Sequence, residues 1–242
     1  MDLPLHPRVA VLATHPAGLL ALAKPEGVRA HPNGPAADPG ALLHVPYDGA
    51  AECYIGPAGP CWHLLHRLDA PTSGVLLLAT DAGLARALRA LFAGRTVHKT
   101  YHAVVRGRPP RAEETWRDRL RTERRGGQLR AVVGGGEPAL TMMRRLRHAA
   151  GPPPRSLLQL EPHTGRTHQL RVQAAARQVP IIGDATYGDF RCNRDWARRL
   201  GSDRLLLHSS AISLQTTWQG QALSFSATCP LPEIFTRALA EG

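Results

Sequence analysis

Residues 74–79 read Gly-Val-Leu-Leu-Leu-Ala, a run without a polar side chain. A short apolar run bounded by turn-forming residues is the pattern of a strand buried in a sheet, and it falls far short of the ~18 apolar residues of a membrane span. "GLLALAK" at 18–24 is a second such run. Just past the first run, "DAGLARALRALFAGR" places Leu84, Leu88 and Leu91 at helical spacing, with Thr80 or Asp81 to cap the first turn and Gly94 to end it. "KTYHAVVRG" sets Tyr101, Ala103 and Val105 against His102 and Val104 with the period of two of a strand. "SLLQLEP", "RLLLHSSAISL" and "LSFSATC" read as further strands, and "HQLRVQAAARQ" as a helix with Leu170 and Ala174 on one face. Strands and helices are mixed without the regular alternation of a doubly wound sheet. The expected class is therefore α+β, with a mixed, mostly antiparallel sheet and flanking helices.

Gly and Pro clusters in "RAHPNGPAADPG", "RGGQLRAVVGGGEP" and "HAAGPPPRS" mark loops. No repeat of 20 to 50 residues and no long low-complexity linker is visible, so residues 1–242 are read as one domain. The N-terminus shows no basic region followed by a long apolar run, and a cytoplasmic protein without membrane attachment is expected. Four cysteines without a CxxC suggest neither a disulfide framework nor zinc. His63 with His66 and His163 with His168 lack carboxylate or thiolate partners at ligand spacing, so no metal is expected.

The balance of 30 basic against 19 acidic residues gives a formal charge of +11. Only Lys24 and Lys99 are lysines, so almost all of that charge sits on guanidinium forks, which pair with phosphate oxygens and stack on bases. A bias toward Arg explains why lysine is rare but not the net excess. RNA or DNA is the expected partner class.

Two polar segments stand out. In "HRLDAPTSG", Asp69 sits in a stiff loop running into the first buried strand; it either carries chemistry or caps its own loop as an Asx-turn. In "HTGRTHQLR", Arg166, His168, Gln169 and Arg171 crowd the start of a helix, which fits either a solvated face or a phosphate-binding helix N-terminus. His168 and Arg171 roughly share a face, and Arg166 points away from it.

Together, "HRLDAPTSGVLLLA", "KTYHAVVRG", "LEPHTGRTHQLRV" and "PIIGDATYGD" resemble, in order and spacing, the motifs of the RluA family of RNA pseudouridine synthases. "LLALAKPEGVRAHP" is similar to that family's start and "RLLLHSSAISL" to its late strand, so the likeness runs from about Leu19 to Leu214. The resemblance implies a pseudouridine synthase catalytic fold with a central cleft for RNA, no cofactor, and isomerisation of a uridine in structured tRNA or rRNA. It implies Asp69 as the catalytic carboxylate, Tyr101 as the residue stacking on the target base, and Arg171 as the salt-bridge partner of Asp69. Arg67 resembles the arginine that fills the space of the flipped nucleotide; Arg166, His168 and Gln169 are expected to bind RNA. No separate S4-type module is expected ahead of the Lys-Pro motif, no obligate protein partner is implied, and a monomer is expected. "RCNR" after "YGDF" looks closest to the branch acting on the tRNA T stem. Gln173 stands where the family usually has His.

The reaction breaks the bond from ribose to N1 and re-forms it at C5, without redox. Attack on the sugar, attack on the base and elimination all remain open to a carboxylate. Burial between a base and apolar walls would push an Asp toward its neutral form, and a fixed guanidinium opposes that. The stretch "RAEETWRDRLRTERRGGQLR" is either a solvated insertion or an RNA-contacting flap carrying Arg124 and Arg125. The rival reading of the whole chain is a non-catalytic RNA-binding protein with the same fold.

Overall fold

The computed structural model describes residues 3–57 and 59–240, apart from the side chains of Arg125 and Gln128. The chain forms two compact units, Met1–His98 with Ser209–Pro230, and Lys99–His208 with Leu231–Gly242.

In the first unit, β1 (Ala10–His15) pairs antiparallel with β2 (Leu19–Lys24), and β2 pairs antiparallel with β6 (Ser73–Ala79). The short strands β3 (Tyr47–Asp48), β4 (Cys53–Ile55) and β5 (Cys61–Leu64) follow one another antiparallel to the other edge of β6. Every residue of β6 is buried, which is why the run shows no alternation. Val75, Leu77 and Ala79 face a cluster with Leu19, Ala21, Ile212 and Phe225, onto which α1 (Ala82–Ala93) lays Leu84, Ala85 and Leu88. Asp81 caps α1, its carboxylate accepting from Leu84 N at 2.7 Å, and Thr80 instead donates to Gly18 O. The part of β12 (Leu207–Trp218) from Ser209 onward forms a hairpin with β13 (Gln221–Thr228).

In the second unit the strand order is β7 (His98–Arg106), β11 (Arg155–Pro162), β10 (Glu137–Ala149), β8 (Glu113–Arg125) and β9 (Gln128–Val133), each antiparallel to its neighbour. The charged stretch 111–130 is thus mostly strand. It is the long strand β8 turning at Gly126-Gly127 into β9. Its period of two is hidden because the inward row, Trp116, Asp118 and Leu120, includes an acid; Asp118 pairs with Arg177 at 3.0 Å and accepts from Gln173 Nε2 at 2.7 Å. The middle Gly-rich stretch, expected as loop, likewise contains β9 between its two glycine turns.

Helix α2 (Gln169–Ala176) sets Val172 into a small cluster with Leu120, Ala131 and Ala139. Two helices were not legible in the sequence, α3 (Phe190–Leu200) and α4 (Glu233–Ala240). In α3 only Cys192, Trp196 and Leu200 are buried among polar residues, one per turn, and they pack with Phe235, Ala238 and Leu239 of α4. The buried Arg155 holds the end of α4, donating to Ala238 O at 2.8 Å and to Gly151 O at 3.0 Å, where a cation also complements the helix dipole.

Candidate active site

In the first unit the segment ahead of β6 alternates by exposure: Arg67 is exposed, Leu68 is buried and Asp69 is half-buried. That alternation is the physical content of a basic, an apolar and an acidic residue in a row, since Leu68 anchors the loop while its two neighbours remain reachable. The turn is closed by the backbone, Thr72 N donating to Asp69 O at 3.0 Å. His66 ties the loop down: its Nε2 accepts from Leu77 N at 3.1 Å and its ring stacks on Phe92 with centroids 4.9 Å apart. At the far end Gly74 adopts φ +118, and a Cβ there would lie 2.1 Å from the Ser209 carbonyl oxygen. No other residue type allows this close approach at that backbone angle.

Sequence reasoning left one brace of this loop unassigned. Lys24 ends β2 fully buried, and its ammonium donates to Pro25 O (3.0 Å), Val28 O (2.7 Å) and Ala70 O (3.0 Å). Gly27 N donates to the same Ala70 oxygen at 2.8 Å. The Lys-Pro-Glu-Gly segment is therefore clasped to the residue following Asp69. The signal was present in the sequence as a lysine in an arginine-rich chain at the end of an apolar strand.

In the second unit Tyr101 lies on β7 opposite Leu160 of β11 and is 9% exposed. Arg171, in the first turn of α2, is buried, and its guanidinium grips a second residue that the sequence reading missed, Asp184. Nε reaches Oδ2 and Nη2 reaches Oδ1, each at 2.8 Å, with side-chain exposures of 6% and 0%. Asp184 Oδ1 also accepts from Thr186 N (2.8 Å) and Tyr187 N (3.0 Å). Burial would raise the Asp184 carboxyl, but the Arg171 hydrogen bonds and charge, with the two backbone N–H groups, outweigh it and hold it below the usual carboxylate range.

Tyr187 joins this group to His168. Its ring lies under the Arg171 guanidinium, 5.3 Å from the centroid. Its hydroxyl accepts from Ala131 N at 2.8 Å and lies 2.9 Å from His168 Nδ1. His168 takes the N-cap position of α2 in the left-handed region, φ 52. Both Asp184 and Tyr187 stand in "PIIGDATYGD", whose spacing from α2 is a tertiary fact that no local pattern announces.

Gln169 is buried with its amide engaged inside the unit: Oε1 accepts from Thr164 Oγ1 (2.7 Å) and Arg166 N (3.1 Å), and Nε2 donates to Thr141 Oγ1 (2.9 Å) and Leu140 O (3.1 Å). Arg166 turns toward the start of β10, donating to Pro138 O at 3.2 Å with Glu137 at 3.7 Å. Gln173 is also internal, accepting from Thr141 Oγ1 at 2.7 Å. Among the described residues no group of three His, Cys, Asp or Glu side chains is arranged to hold a metal ion. No helix among them is long and apolar enough to cross a membrane.

The family model described as RNA pseudouridylate synthase matches residues 18–176. A tRNA pseudouridine synthase C of Pectobacterium carotovorum subsp. carotovorum is 38% identical over 181 residues, covering 70% of this chain and 48% of that protein. One of Yersinia pestis is 36% identical over 176 residues, covering 68% of each chain. An uncharacterised RNA pseudouridine synthase of Mycobacterium bovis is 34% identical over 168 residues, covering 69% of this chain and 52% of that one. The chain thus spans between about half and about two thirds of the length of these three relatives. Among solved structures, human RNA pseudouridylate synthase domain containing 4 superposes with a TM-score of 0.67 at 24% identity, covering 95% of this chain and 91% of that one. The corresponding human protein containing 1 also gives 0.67, at 21% identity, covering 100% and 98%. These two likenesses establish the α+β fold.

Proposed function

Since the chain belongs to the RNA pseudouridylate synthase family, we propose that it is an isomerase that converts a uridine in tRNA to pseudouridine, with Asp69 as its catalytic carboxylate. The observation that carries the reading is the family match over residues 18–176, which contains Asp69, Tyr101 and Arg171. The choice of tRNA is supported by relatives named tRNA pseudouridine synthase C, a polyanionic partner by the formal charge of +11, and the T stem only by the likeness of "RCNR" after "YGDF" to that branch.

On this reading residues 1–242 work as one catalytic domain. A uridine within a stem is flipped out at a cost of a few kcal/mol, and stacking on Tyr101 returns ~1 to 3 kcal/mol of it. A carboxylate is already a charged group at neutral pH, so the site has to hold that charge rather than generate it. Arg171 serves as the counter-ion of Asp69, and the bidentate grip of Asp184 fixes the plane of the fork that does so. Arg67, exposed next to the buried Leu68 anchor, fills the space vacated by the base. Arg166 and His168 contact RNA, and Gln169 acts indirectly, by holding the 164–168 loop from inside. The reaction uses no cofactor and takes place in the cytoplasm, and a monomer is sufficient for it.

The test is release of tritium from unmodified transcripts labelled at uridine C5. The native chain is expected to release tritium from tRNA, and Asp69→Asn to release none while still binding. Tight binding without release by the native chain on tRNA and ribosomal transcripts would replace the synthase by a binding-only protein.

A further inference from the structure

The chain's two lysines stand among 30 basic residues, so nearly every cationic position is a guanidinium. Lys24 shows what an ammonium is used for in such a chain: a compact head with three donors meets three backbone carbonyls at 2.7 to 3.0 Å. Lys99 invites the same question and receives a different answer. It lies on β7, partly buried, two residues before Tyr101. Residues i and i+2 of a strand point to the same face and stand about 7 Å apart, so Lys99 and Tyr101 share a side of the sheet.

Among the described residues no hydrogen bond or ion pair engages the Lys99 ammonium. Burial pushes its pKa down, and no opposing cause accompanies that shift. A partly buried cation without a partner in the protein costs stability that an apolar residue at the same place would not. For a nucleic acid held by its base on the neighbouring tyrosine, the anion within reach is the backbone phosphate, which lysine meets as a point charge.

We propose that Lys99 is an RNA-phosphate contact, its ammonium binding a backbone phosphate of the nucleotide that stacks on Tyr101. The proposal rests on the reading of Tyr101 as the residue under the target base.

Its test compares the native chain with Lys99→Met, which keeps the stem and removes the charge, on an unmodified tRNA transcript. Binding is measured against salt, the melting temperature without RNA, and turnover by tritium release. The variant is expected to bind more weakly, with a slope of log K against log salt flatter by about 0.7 to 0.9, the loss of one phosphate contact. Without RNA it is expected to melt at or above the native temperature, because an unpaired charge has gone; a packing role would lower it. Once the modified uridine is mapped, a methylphosphonate at its flanking phosphates should weaken the native chain and leave Lys99→Met unaffected. An active native chain whose salt slope is unchanged by Lys99→Met would overturn the phosphate contact alone. A native chain that neither binds nor isomerises RNA would overturn the functional reading and this proposal with it.

Discussion

Replacing Asp184 by Asn tests whether the Arg171 fork is held by its internal partner. The pair is buried, with side-chain exposures of 6% and 0%, and the amide keeps an oxygen for Thr186 N and Tyr187 N while withdrawing the negative charge. Removing one member of a buried pair costs about 3 to 5 kcal/mol, because the other charge is left uncompensated. Against a total stability of roughly 5 to 15 kcal/mol, that is a large fraction. With a urea dependence of about 1 to 3 kcal/mol per molar, the unfolding midpoint should fall by about 1 M or more. Unfolding followed by intrinsic fluorescence, to which Trp116 and Trp196 of the second unit contribute, measures it. The double variant Arg171→Met with Asp184→Asn removes both charges, and it should regain at least half of the lost stability while remaining inactive. The acid limb carries the same information. A carboxyl whose folded pKa lies below its ordinary value of 3.8 stabilises fully above that value and loses its contribution as pH falls through the folded pKa. The native protein should thus weaken below about pH 4, and Asp184→Asn should show a flatter acid limb. A native-like midpoint for Asp184→Asn, or a double variant no more stable than either single one, would refute the reasoning.

Lys24→Met leaves three carbonyls without their ammonium, at about 1.5 to 3 kcal/mol for each charge-assisted bond before relaxation, and should lower both the unfolding midpoint and tritium release; unchanged release would detach this brace from the Asp69 loop. Gly74→Ala places a Cβ 2.1 Å from Ser209 O at φ +118 and should abolish soluble expression or cost more than ~3 kcal/mol, read from yield and melting temperature. Tyr187→Phe keeps the ring under Arg171 but removes the hydroxyl that accepts from Ala131 N and meets His168 Nδ1, so stability should fall by about 1 to 3 kcal/mol; native melting would refute the hydroxyl bridge.

Local sequence determined what depends on period and on caps. The unbroken apolar run of β6, the helix α1 between Asp81 and Gly94, and the class of fold come from short-range patterns with one dominant physical reading each. The linked motifs also carried the family, because Asp69, Tyr101 and Arg171 stand in segments that can be read one at a time. Period failed where polar residues face inward: Asp118 hid the strand β8, and the single buried residue per turn of α3 hid a helix. Only the tertiary structure decided which distant groups meet. Asp184 comes to Arg171 from 13 residues away, and Lys24 reaches Ala70 across 46. A buried charge must find its partner wherever the fold brings one, and sequence distance places no bound on where that is.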